Sequence, residues 1–114
     1  MDERRQHPRY STATLLEVFE QHSDRYLGRV ADLSNEGFML CSTTSLPADS
    51  LVECRLACAA LLAATSDLYF TADCLWSRNG APGQQSWAGF QIIDIDALNA
   101  QLLQELIQHL QESA

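Results

Sequence analysis

The stretch Val30-Ala31-Asp32-Leu33-Ser34-Asn35-Glu36-Gly37-Phe38-Met39-Leu40 sets a polar corner between two apolar runs. In an extended chain alternate side chains share a face, so Asp32 and Ser34 point one way and Leu33 the other. Gly37 then permits a turn that a side chain would hinder. Asp32-x-Ser34-x-x-Gly37 has two readings on these grounds. It is an ordinary β-turn, for which Asp, Ser, Asn and Gly are the usual residues, or it is one wall of a ligand site.

Outward from this corner the chain reads mostly as strands. Residues 25–34 and 37–42 flank it, and residues 12–20 form an earlier β-branched and apolar run that ends in a turn at residues 21–24. Residues 43–50 are a loop by composition, whereas 51–58 and 68–77 alternate apolar and polar side chains. Between those two, residues 59–65 are too apolar for a free loop and too short for a clear helix. They suit a short helix, a strand extension or a patch that meets a partner. Asn79-Gly80 and Pro82-Gly83 mark a wide hairpin before a last strand at 87–95. The period then changes from two to about 3.6, with Leu98, Leu102, Leu103, Leu106, Ile107 and Leu110 on one stripe and Asp96 as the N-cap.

Six short strands followed by one helix predict a mostly-β fold, a small six-stranded antiparallel barrel. Its parts are an N-terminal arm at 1–10, expected to be flexible because it is polar and carries Pro8, a barrel at 11–95 and a helix at 96–114. The helix either closes the barrel or packs on its outside. Its stripe is also broad enough for association, so monomer and weak homodimer both stay open.

With 114 residues and 46% hydrophobic content, the chain suits one small domain with one core. No run reaches the roughly 18 apolar residues of a membrane span, and the acidic start does not resemble a signal peptide. A cytoplasmic protein without membrane insertion is expected. The net charge of −8 would repel polyanions, which argues against DNA or RNA as a partner. That charge is uneven: residues 1–30 balance to zero, and the remainder carries all of it. All seven cations are arginine. Genome composition would explain this, and so would recognition of phosphate and guanine by the planar guanidinium fork.

Cys41, Cys54, Cys58 and Cys74 lack the paired spacing of a structural zinc site, and the strand phase of Cys54, Cys58 and Cys74 marks them as small interior hydrophobes. The same phase sets Phe70, Ala72, Cys74 and Trp76 on one side of a strand. His7, His22 and His109 lie in an arm, a turn and a helix tail. There is no Gly-rich phosphate loop and no H-E-x-x-H pair. No catalytic residue, metal or cofactor is expected, and the chain does not read as an enzyme.

Arg5-Gln6-His7-Pro8-Arg9, followed by Asp32-Leu33-Ser34-Asn35-Glu36-Gly37, resembles the PilZ domain family, whose pattern is RxxxR and then a D/N-x-S-x-x-G turn. Trp76, the Trp87-Ala88-Gly89-Phe90 strand and the leucine-rich helix also fit, so the likeness covers almost the whole chain. It implies a PilZ-type barrel and a bacterial receptor for cyclic di-GMP that changes conformation on binding and signals to an effector protein. The resemblance further implies that Arg5 and Arg9 contact phosphate and the guanine O6/N7 edge. Asp32 would accept from guanine N1 and N2, Ser34 would add a hydroxyl contact and Gly37 would shape the turn. Arg4 stands where family members that take an intercalated ligand dimer carry an arginine, so one and two ligand molecules both stay open. Trp76, followed by Arg78, matches a position that can stack on or lie beside a guanine, although its phase also allows a place in the core. The alternative is a PilZ-like adaptor whose partner binding does not depend on nucleotide.

Overall fold

The computed structural model describes residues 10–11, 16–42, 48–59, 66–81 and 83–113. Its strands are β1 (Tyr10–Ser11), β2 (Glu17–Glu20), β3 (Tyr26–Leu33), β4 (Gly37–Ser42), β5 (Ser50–Ala57), β6 (Leu68–Arg78) and β7 (Ser86–Asp94), followed by the helix α1 (Ala97–Ser113). Neighbours in the sheet run β3-β2-β5-β6-β7-β4, and β4 pairs back onto β3. Every pairing is antiparallel, so these six strands close a barrel. The two-residue β1 adds to β3 at Leu33 and Asp32, beyond the stretch of β3 that β2 covers.

Alternation fills the barrel as the sequence predicts. Cys54 and Leu56 of β5, Leu68, Phe70, Ala72 and Cys74 of β6, Phe38 and Leu40 of β4, and Ala88 and Phe90 of β7 are all buried in one core. Phe38 stacks on Phe90 at 4.9 Å between centroids and meets Phe70 edge-on at 5.4 Å. Leu103, Leu106, Ile107 and Leu110 enter the same core, so α1 packs its apolar face onto the barrel interior. Asp96 caps the helix as expected: the Asn99 backbone N–H donates to its Oδ1 at 2.8 Å. Asn99 in turn accepts the Tyr69 N–H at 2.9 Å, which ties the first turn of α1 to β6.

Three expectations change. Leu98, placed on the apolar stripe, is 77% exposed, because it sits in the first turn of α1 while the buried positions begin further along the helix. Ser50, read as loop, opens β5 opposite Cys74. Trp76 does not continue the inward series Phe70, Ala72, Cys74. Cys74 pairs with Phe90 and Trp76 with Gly89, so Leu75 is an extra residue on β6, and this bulge turns Trp76 outward with 42% of its surface exposed. Residues 60–65 lie outside the described residues, as do most of the arm and of the loop at 43–50.

Candidate ligand-binding face

A second bulge sets the direction of Asp32. Val30 pairs with Leu40 and Asp32 with Met39, which leaves Ala31 as the extra residue on β3. Without it, Asp32 would follow Val30 into the core. With it, Leu33 is fully buried and Asp32 lies half-buried on the outer wall. A one-residue slip would exchange the two, burying a carboxylate and exposing a leucine, so this register is strongly held.

The turn that follows is built by Ser34. Its backbone N–H donates to the Gly37 carbonyl at 2.9 Å, and its hydroxyl donates to the same oxygen at 3.3 Å. The hydroxyl oxygen also accepts the N–H groups of Glu36 and Gly37, each at 3.3 Å. Ser34 is 7% exposed. Its hydroxyl therefore already holds the corner together. Gly37 is needed for a reason other than the expected backbone freedom, since its φ is not in the left-handed region. A Cβ there would lie 2.1 Å from the Phe90 carbonyl oxygen, so it is the close approach of β7 that demands glycine. The Ile92 N–H donates to the Glu36 carbonyl at 2.8 Å and fixes β7 against the turn.

Strand register gathers further residues on the outer wall. Asp32 pairs with Met39, Met39 with Gly89 and Gly89 with Trp76. Paired residues of a sheet share a face, and three strand spacings set Asp32 and Trp76 about 14 Å apart. The pyrrole ring of Trp76 lies directly over Gly89. Further along the strands a parallel row runs Arg29, Cys41, Trp87, Arg78. Arg29, Trp87 and Arg78 are exposed, while Cys41 is buried with its thiol donating to Gln85 Oε1 at 2.7 Å. One wall thus presents a carboxylate, two guanidiniums and two indoles.

Asp32, Ser34 and Gly37 share one corner, Trp76 shares the outer row of Asp32, and Arg78 ends the neighbouring row. Arg4, Arg5 and Arg9 lie outside the described residues. The sequence alone assigns no role to Met39 or Gly89. Met39 was within reach, because counting back from the Ser34–Gly37 turn pairs Leu33 with Phe38 and Asp32 with Met39. Gly89 was hidden, since its pairing with Trp76 depends on the bulge at Leu75. The other cysteines have no part in this face: burial pushes the Cys54 thiol up to about 12 and the Cys58 thiol up to about 11.

A carboxylate accepts paired N–H donors, guanidinium groups meet phosphate or the Hoogsteen edge of guanine, and indoles stack on planar bases. The wall has the chemistry of a nucleotide-binding surface on a closed barrel. The family model for the PilZ domain matches residues 3–109, and the chain belongs to that family. In fold it is similar to the inhibitor of motility MotI/DgrA of Bacillus subtilis, at TM-score 0.71 and 18% identity over 99% of this chain and 54% of that one. It is also similar to the PilZ domain of YcgR from Escherichia coli, solved with c-di-GMP, at TM-score 0.69 and 15% identity over 97% and 94% of the two chains. The K. pneumonia MrkH–c-di-GMP complex gives TM-score 0.77 and 14% identity over 98% and 54%. The chain thus spans about half the length of the MotI/DgrA and MrkH chains. No curated protein matches it in sequence. Among the described residues no helix is long and apolar enough to cross a membrane.

Proposed function

We propose that the chain is a cyclic di-GMP receptor that binds its ligand between the outer wall of β3, β4, β7 and β6 and the arginine segment at its N-terminus. One observation carries this reading: Ser11 pairs with Asp32 and Tyr10 with Leu33. Arg9 is bonded to Tyr10, so an arginine side chain can reach the Asp32 corner, as one site built from both motifs requires.

In this reading Asp32 accepts guanine N1 and N2, Arg5 and Arg9 meet phosphate and the O6/N7 edge, and Arg4 favours an intercalated ligand dimer. Trp76 and Arg78 bound the far side. Ser34 and Gly37 act mainly by holding the corner. Ordering about six arm residues costs on the order of 6–12 kcal/mol. Charge-assisted hydrogen bonds return roughly 1.5–3 kcal/mol each, so several must form together. Binding then orders the arm, and an effector protein reads the new surface. Each role is one of recognition, and no nucleophile or metal enters; the chain acts as a binding module in the cytoplasm rather than an enzyme.

The nucleotide-independent adaptor is the second reading, favoured by Leu51 and Leu75, which are 67% and 51% exposed on β5 and β6. Calorimetric titration with cyclic di-GMP separates the two. Saturable heat with one or two ligands per chain supports the receptor, whereas folded protein with no heat at tens of micromolar ligand leaves the adaptor.

A further inference from the structure

Two features of neighbouring strands give Trp76 its place. The extra residue Leu75 turns it outward, and the missing side chain of Gly89 leaves room for the ring. A Cβ on Gly89 would lie 2.1 Å from Nε1, 2.5 Å from Cε2 and 2.9 Å from Cδ1 of Trp76. All three atoms belong to the pyrrole ring, so the indole occupies the volume that any other residue at 89 would fill. The backbone itself does not require glycine here, because Gly89 is not among the residues with positive φ. Gly89 is buried beneath the ring, yet Trp76 keeps 42% of its surface open on the row that carries Asp32.

From this we infer that Gly89 is a positioning residue for ligand recognition: it seats the Trp76 indole on the barrel wall, where the indole serves as a stacking platform for a base of the bound cyclic dinucleotide. The inference rests on the reading of this wall as a cyclic di-GMP site. A side chain at 89 would push the indole off the wall. Stacking on one aromatic ring is worth roughly ten- to hundredfold in affinity, so displacing it has a measurable effect.

The chain has two tryptophans, and Trp87→Phe leaves Trp76 as the sole indole reporter. In that background Gly89→Ala is expected to increase acrylamide quenching of Trp76 without ligand, and in the chain that keeps Trp87 it is expected to weaken cyclic di-GMP binding by about tenfold or more. Trp76→Ala should lose a similar factor. The pair Gly89→Ala/Trp76→Ala, in which the clash is gone, should fold and bind like Trp76→Ala alone, and it carries the test if Gly89→Ala does not fold. Unchanged quenching and affinity in Gly89→Ala would overturn the inference. So would a double variant much weaker than Trp76→Ala, because Gly89 would then act independently of the indole. Absence of binding by the unmodified chain would instead overturn the receptor reading beneath it.

Discussion

Ser34 and Gly37 are joined three times across the β3–β4 turn: the serine N–H and hydroxyl both donate to the glycine carbonyl, and the serine oxygen accepts the glycine N–H. The signature serine of the motif thus builds the corner before any ligand arrives. Ser34→Ala leaves the Glu36 and Gly37 N–H groups without that acceptor, and a loss of about 1–3 kcal/mol is expected in denaturant unfolding without ligand. An unchanged midpoint would show that the hydroxyl has no part in the turn.

Gly37→Ala should be more severe. Its Cβ would meet a backbone carbonyl, that of Phe90, which cannot swing away without breaking the pairing of β4 with β7. A cost of about 3 kcal/mol, at the upper end for overpacking, is expected as a large drop in melting temperature. A variant that melts like the parent would mean that β7 yields easily.

These two positions mark how far the sequence could be read. The boundaries of β4, the turn at residues 21–24, the wide hairpin at residues 79–85 and the Asp96 cap all follow from local rules of alternation, turn residues and capping, and the structure agrees with them. Trp76 and Gly89 do not follow from local rules. One inserted residue, Leu75, reverses the phase of Trp76, and bulges depend on how two strands meet rather than on either strand alone. The resemblance puts Asp32 at a ligand, but its outward direction depends on Ala31, a bulge that alternation cannot reveal. Gly37 looks like a simple turn residue in the sequence because steric contact with a strand over fifty positions away leaves no local trace.

The helix cap gives a pH dependence. The Asn99 backbone N–H, followed by its side-chain amide, holds the Asp96 carboxyl below its ordinary value of 3.8. A group with a lowered folded pKa stabilises above its unfolded pKa, and that contribution is lost as pH falls through the folded value. Fraying of the first turn of α1 is therefore expected only below about pH 4. Asp96→Asn keeps a capping side chain and removes the titration, so its helix signal in circular dichroism should be flatter across that range. Identical acid profiles would exclude Asp96 as the titrating group.

The buried thiols should be inert. With Cys54 held near 12 and Cys58 near 11, almost no thiolate exists at neutral pH. Labelling of these two by a disulfide reagent at pH 8 is expected only at the rate of unfolding. Fast labelling of the native protein would contradict their place in the barrel core.

The central claim is that Asp32 on the barrel and the arginines before Tyr10 form one cyclic di-GMP site. Calorimetric titration of the unmodified chain, Asp32→Ala and Arg9→Ala tests it most directly. Loss of a single charge-assisted contact should weaken binding by roughly tenfold or more in each variant, measured on protein that a cooperative melting transition shows to be folded. A folded parent that gives no heat with cyclic di-GMP, or variants that bind as tightly as the parent, would contradict it.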